Sequence, residues 1–156
     1  MAVIRSCVIA VLLLVPLVAH GQRPAALSAT TDAAMLAGRW RAVSLTVDGQ
    51  TAKPEDAAKI TVINTADGGW AVVVDGKQIA KGTNELHAAT DPKRIDFEIT
   101  ESTDSSAVRR RHEGIYDLGE TTRRLCFAPS GKPRPTSFSA PKGSGAIFVT
   151  FERVPD

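Results

Sequence analysis

Apolar and polar residues alternate with a period of two through most of this chain, cut at short intervals by Asp-Gly and Gly-rich turns. Val43, Leu45 and Val47 alternate with Ser44 and Thr46, and Ile95, Phe97 and Ile99 alternate with Asp96, Glu98 and Thr100. Successive side chains of a strand point to opposite faces, so each such segment has one face suited to a core and one suited to water. Asp48-Gly49, Ala66-Asp67-Gly68-Gly69, Asp75-Gly76 and Gly119-Glu120 separate the segments. Asp75-Gly76 is one of the strongest two-residue hairpin signals, because both positions tolerate the positive φ such a turn demands.

The pattern predicts eight strands: one of about eight residues ending at Asp48-Gly49, then 60–63, 70–74, 77–88 with a bulge at Gly82, 94–100, 108–118, 122–128 and 146–154. Short hairpins between consecutive strands imply an antiparallel meander, because parallel pairs need long crossovers. Closing the meander on itself removes its exposed edges. The expected fold is therefore all-β, an eight-stranded antiparallel up-and-down barrel, with an open sandwich as the alternative. One short helical turn, Ala33 to Leu36 capped by Asp32, is expected before the first strand. Pro129 to Gly145, with four prolines and three glycines, reads as an ordered loop.

Ahead of this domain, Arg5 precedes an apolar run from Cys7 to Ala19, and Ala19-His20-Gly21 supplies small residues at the positions a signal peptidase reads. The run is about thirteen residues, short of the roughly 20 of a membrane-spanning helix. Cys7 lies inside it rather than at its end, which argues against a lipid anchor. The expected organisation is a signal peptide over 1–21, a disordered spacer rich in Ala, Ser and Thr over 22–33, and the barrel over 34–156. An exported protein follows, periplasmic or extracellular, with no stable membrane anchor once the leader is cleaved.

Charge and residue inventory narrow the chemistry. Arg5 is the only charged residue of the leader, so the remainder carries 18 basic against 17 acidic residues. Such a balance makes no general claim on nucleic acid or anionic lipid. The eight aromatic residues are mostly needed for a core, which leaves little for stacking bases. Cys126 is the one cysteine after the leader, so no internal disulfide is possible, and Leu125-Cys126-Phe127 marks it as a small buried hydrophobe. His112-Glu113 lacks the second His of a metalloprotease helix. With His87 the only other imidazole after the leader, a metal would need Asp96 or Glu113 as well, and no metal is expected. No serine sits in a Gly-x-Ser-x-Gly turn, and Ser130-Gly131-Lys132-Pro133 lacks the rest of a phosphate loop. A non-catalytic domain without cofactor is expected. Arg109-Arg110-Arg111 makes no continuous basic stripe on a strand, because its members alternate between faces.

Several blocks taken in order resemble a family of small exported domains of unassigned activity, described as lipocalin-like and abundant in planctomycete bacteria. They are Leu36-Ala37-Gly38-Arg39-Trp40 followed by Asp48-Gly49, Asp91-Pro92 leading into Ile95-Asp96, Gly114-Ile115-Tyr116-Asp117-Leu118, Leu125-Cys126-Phe127-Ala128, Arg134-Pro135-Thr136-Ser137-Phe138 and Phe151-Glu152-Arg153. The chain departs from the pattern in a shorter segment after Asp91-Pro92 and in Glu120-Thr121-Thr122-Arg123, where the family has a Gly-Asp turn. The resemblance implies export and a barrel but no activity. From lipocalins proper it also implies a barrel floor made by Gly38 and Trp40, with Arg153 lying over the indole, a contact worth about 0.5–2 kcal/mol.

The resulting expectation is a barrel that holds a small apolar or amphipathic ligand at the end away from Trp40. An interaction module with a filled barrel is the second possibility, and an enzyme the third. Arg109-Arg110-Arg111 reads first as a solvated face; the lesser reading turns Arg110 inward, where it would want an acidic partner or an anionic ligand. Tyr116 and Phe138 complete the candidate ligand-binding residues, with a cap on the core the favoured reading of Phe138.

Overall fold

The computed structural model describes residues 25–155. The expected signal peptide and the start of the expected spacer lie outside them. Helix α1 (Ala25–Leu36) leads into β1 (Gly38–Val47), a two-residue β2 (Gln50–Thr51) and a single turn α2 (Pro54–Ala57). Strands β3 (Ile60–Asn64), β4 (Gly69–Val74), β5 (Lys77–His87) and β6 (Lys93–Ser102) follow. A 3-10 turn (Ser105–Ala107) precedes β7 (Arg111–Leu118), β8 (Thr122–Phe127) and β9 (Ile147–Arg153).

Each strand from β3 to β9 pairs antiparallel with its neighbour in the chain, β3 pairs with β1, and β9 returns to β1. The result is a closed barrel of eight strands, β1 and β3 to β9, with β2 folded back on the end of β1. Closure leaves no unpaired edge among the eight. Asp75 and Gly76 take φ of 49° and 77° and join β4 to β5 in the two-residue turn their sequence demands.

The bulge expected at Gly82 is present, between Lys81 and Gly82. A Cβ on Gly82 would lie 1.8 Å from the Glu98 carbonyl oxygen and 2.7 Å from Trp70 Cζ2. Glycine is thus what lets β5 cross so close to β6 beneath the Trp70 ring.

Two expectations need correction. Residues 25–33, expected as disordered spacer, belong to a 12-residue helix that continues through Leu36. Five of its residues are alanine, the best helix former, and the docking described below supplies what short helices lack in water. Residues 108–110, expected on the seventh strand, precede β7 instead. Arg109 has φ of 65°, which no strand residue adopts, and it follows the 3-10 turn closely.

The two ends of the barrel differ. One carries the β3–β4, β5–β6 and β7–β8 turns, and α1 lies across it against β5 and β7. The other carries the longer connections, including the irregular segment from Ala128 to Ala146. That segment covers the outer wall: Cys126, fully buried, donates from Sγ to Ser139 O at 3.3 Å, and Phe138 packs on Phe148. Burial pushes the Cys126 thiol pKa up, against a smaller lowering by its bond to Ser139, so it stays a thiol at neutral pH.

Candidate functional site

At the α1 end, Trp40 is fully buried among Ala42, Val149 and Phe151. The guanidinium carbon of Arg153 lies 4.2 Å from the centre of its ring, so the structure brings Trp40 and Arg153 together. Gly38 completes the contact. Its φ is 115°, and a Cβ there would lie 2.8 Å from Arg153 Nη1.

This floor also ends the helix. The last carbonyls of a helix have no partner within it. Here Trp40 Nε1 donates to Leu36 O at 2.8 Å, Arg153 Nη1 to Ala37 O at 2.8 Å and Arg153 Nη2 to Met35 O. A cation at a helix C-terminus is favoured by the helix dipole as well. Farther along α1, Asp32 Oδ2 accepts from Tyr116 Oη at 2.6 Å and from Lys93 Nζ at 2.7 Å. Asp32 therefore docks the helix rather than capping it. Burial, then the bond to Asp32 and its charge, hold the Tyr116 hydroxyl pKa far above its ordinary value.

Arg123 is the functional candidate the sequence reading missed. It is 4% exposed, it faces inward, and its guanidinium carbon lies 4.2 Å from the Phe151 ring centre and 5.0 Å from that of Trp40. Its Nε has no hydrogen-bond partner. Burial, with Arg153 nearby, pushes its pKa down to about 9, and no acidic group offsets this. Asn64, 6% exposed, also faces inward and has an unpartnered Nδ2.

Away from the floor the interior changes character. Inward-facing Leu45, Ile60, Val72, Val74, Ile99, Leu125 and Ile147 are all only half-buried, and Val47 at the rim is 39% exposed. Between these lies an aromatic cluster. Phe97 stacks on His112 at 5.2 Å and meets Phe127 at 4.9 Å and Trp70 at 5.8 Å edge to face. His112 donates from Nδ1 to Ala128 O at 3.0 Å, leaving Nε2 as the acceptor in the neutral ring.

The other proposed ligand residues divide. Tyr116 faces inward, but its hydroxyl is engaged by Asp32. Arg110 is exposed and outside the barrel, its Nε donating to Ser106 O at 2.8 Å, because the chain does not enter β7 until Arg111. Phe138 is on the outer wall, 4.4 Å beneath the Arg124 guanidinium, and does not line the interior. His87 and His112 lie on opposite faces of the wall and do not converge. Among the described residues no group of three or more His, Cys, Asp or Glu is placed to hold a metal ion, and no helix is long and apolar enough to cross a membrane.

On the outer wall Asp96 ties down the long loop. Its carboxylate lies 2.6 Å from Arg134 Nη2, accepts from Arg111 Nη2 at 2.9 Å and contacts His87 Nε2 at 3.3 Å. Arg134 Nη1 also donates to Ile95 O and Gly114 O, at 3.2 and 2.7 Å. Burial raises the Asp96 pKa, but the hydrogen bonds from Arg134 and Arg111, the Arg134 charge and His87 outweigh it, and the net shift is downward. The folded pKa is thus below the unfolded one, so the stabilisation is complete above about pH 4 and is lost as pH falls through the lower folded value. Asp96→Asn is expected to cost about 2–3 kcal/mol at pH 7 and to flatten the acid limb of stability. Urea unfolding of both proteins between pH 7 and 3 checks this.

Two clefts mark the outer surface, about 370 Å³ along the long loop and about 400 Å³ between α1 and the β3–β4 turn. They are lined mainly by loop prolines and serines in one case and by alanines and turn residues in the other. Neither joins an apolar wall to a buried unpaired polar group, as the interior does. Comparisons of the chain with family models, with curated proteins and with solved structures returned no match.

Proposed function

We propose that this protein is an exported, lipocalin-like binding domain that takes a small apolar or amphipathic ligand into its barrel and performs no chemistry on it. The observation that carries the reading is the gradient inside the barrel. Trp40, Ala42, Phe151 and Arg123 are buried at the floor, whereas inward-facing Leu45, Ile60, Val72, Ile99, Leu125 and Ile147 farther along are half-buried and give the wall an apolar lining. A concave apolar wall with few polar groups is what small-ligand sites are made of. Resemblance to the lipocalin-like exported family, and the leader-like segment over 1–21, support export.

Native mass spectrometry of the exported protein, purified without denaturant or detergent, tests the reading. The expected result is a species heavier than the polypeptide by one small molecule, released on collisional activation. Bare polypeptide that also takes up no added apolar compound would instead favour a barrel filled by its own side chains.

A further inference from the structure

We propose that the barrel selects amphiphiles with an anionic head, a carboxylate above all, and seats that head at the floor against Arg123. The inference rests on the ligand-binding reading above and deepens it. Arg123 lays its guanidinium against Trp40 and Phe151 at the closed end of a mostly apolar interior. Arginine is almost never fully buried unless paired. Here no carboxylate among the described residues meets it, its Nε is unpartnered, and residues 1–24 contain neither Asp nor Glu. The one acidic residue beyond the described range is Asp156.

The neighbours make the floor more positive still. Arg153 spends its donors on helix carbonyls and on Glu120 O but keeps its charge beside Arg123. Asn64, opposite Gly38 in the β1–β3 pairing, carries another unpartnered donor at this end of the barrel. The buried, unpaired Arg123 guanidinium would lower its own desolvation cost by taking an anion as partner. Ten-residue β1 spans about 25 Å of barrel axis at the usual strand rise and tilt, longer than an extended alkyl tail of a dozen carbons.

The test is displacement of the neutral fluorophore N-phenyl-1-naphthylamine by tetradecanoate, tetradecan-1-ol and tetradecylammonium at pH 7.5. On the wild-type protein the carboxylate is expected to compete at about 10–100-fold lower concentration than the alcohol, the gain of one or two charge-assisted hydrogen bonds, with the ammonium weakest. In Arg123→Met the preference for carboxylate over alcohol should vanish. That variant is expected to melt no lower than wild type without ligand, since it removes a buried charge that has no counterion. Equal competition by carboxylate and alcohol on the wild-type protein would overturn the anionic-head proposal and leave the binding reading standing. Failure of the fluorophore and all three amphiphiles to bind would remove both. The head-group comparison needs no variant, so it decides the matter even if Arg123→Met fails to fold.

Discussion

Replacing Trp40 with Ala is expected to destabilise the domain by about 3–5 kcal/mol, the cost of deleting a buried aromatic side chain. The melting temperature should fall by roughly 10–20 °C. The ring supplies more than area. Its Nε1 holds the Leu36 carbonyl at the end of α1, and its faces carry the guanidinium groups of Arg153 and Arg123. Removing it leaves a helix carbonyl unsatisfied and two cations without their shared aromatic surface. Trp40→Phe keeps a ring and loses only the donor, so its cost should be about 1–2 kcal/mol. Thermal and urea unfolding followed by circular dichroism check both values. A loss below 1 kcal/mol for Trp40→Ala would mean that Trp40 does not hold the floor together.

Gly82→Ala is expected to be comparably severe, about 3 kcal/mol or more, although it adds a single methyl group. The new Cβ would fall 1.8 Å from the Glu98 carbonyl oxygen, a backbone atom in the adjacent strand. It cannot be accommodated by a side-chain rotation, so β5 and β6 must separate or Trp70 must leave its place, and overpacking of this kind has no cheap relaxation. Gly76→Ala is the control. A Cβ at Gly76 meets nothing within 4 Å, and the cost there is the positive φ alone, about 1–2 kcal/mol. Urea unfolding should rank Gly82→Ala well below Gly76→Ala in stability. The reverse order would contradict the close crossing at the bulge.

The barrel was legible because strand alternation and turn chemistry are local. Asp75-Gly76 joins the strands it was expected to join, and Gly82 marks the bulge it was expected to mark. The helix was not legible. Its Ser and Thr content reads as spacer, and its supports are Tyr116, Lys93, Trp40 and Arg153, which come from strands far along the chain. Arg110 is exposed, as the favoured solvated-face reading of Arg109-Arg110-Arg111 expects, and the interior charge lies at Arg123 instead. Arg110 was placed by extending the β7 pattern through a residue with positive φ, which the sequence alone does not reveal. Arg123 was within reach, since it precedes Leu125 and Phe127 by two and four residues and must share their inward face. Phe138, favoured as a packing residue over a ligand contact, packs on Phe148 of the outer wall, and a loop residue has no alternation to say in advance which side of the wall it meets.

The proposed function requires a barrel sealed at Trp40 and open to a ligand at the other end. Methyl-resolved nuclear magnetic resonance during addition of N-phenyl-1-naphthylamine tests it most directly. The account predicts concentration-dependent shifts for Ile60, Ile99, Leu125 and Ile147, with the methyl groups of Ile63, on the outer face of β3, unmoved. Shifts confined to Ile63 and its outer-wall neighbours, or no shifts at saturating fluorophore, would contradict it.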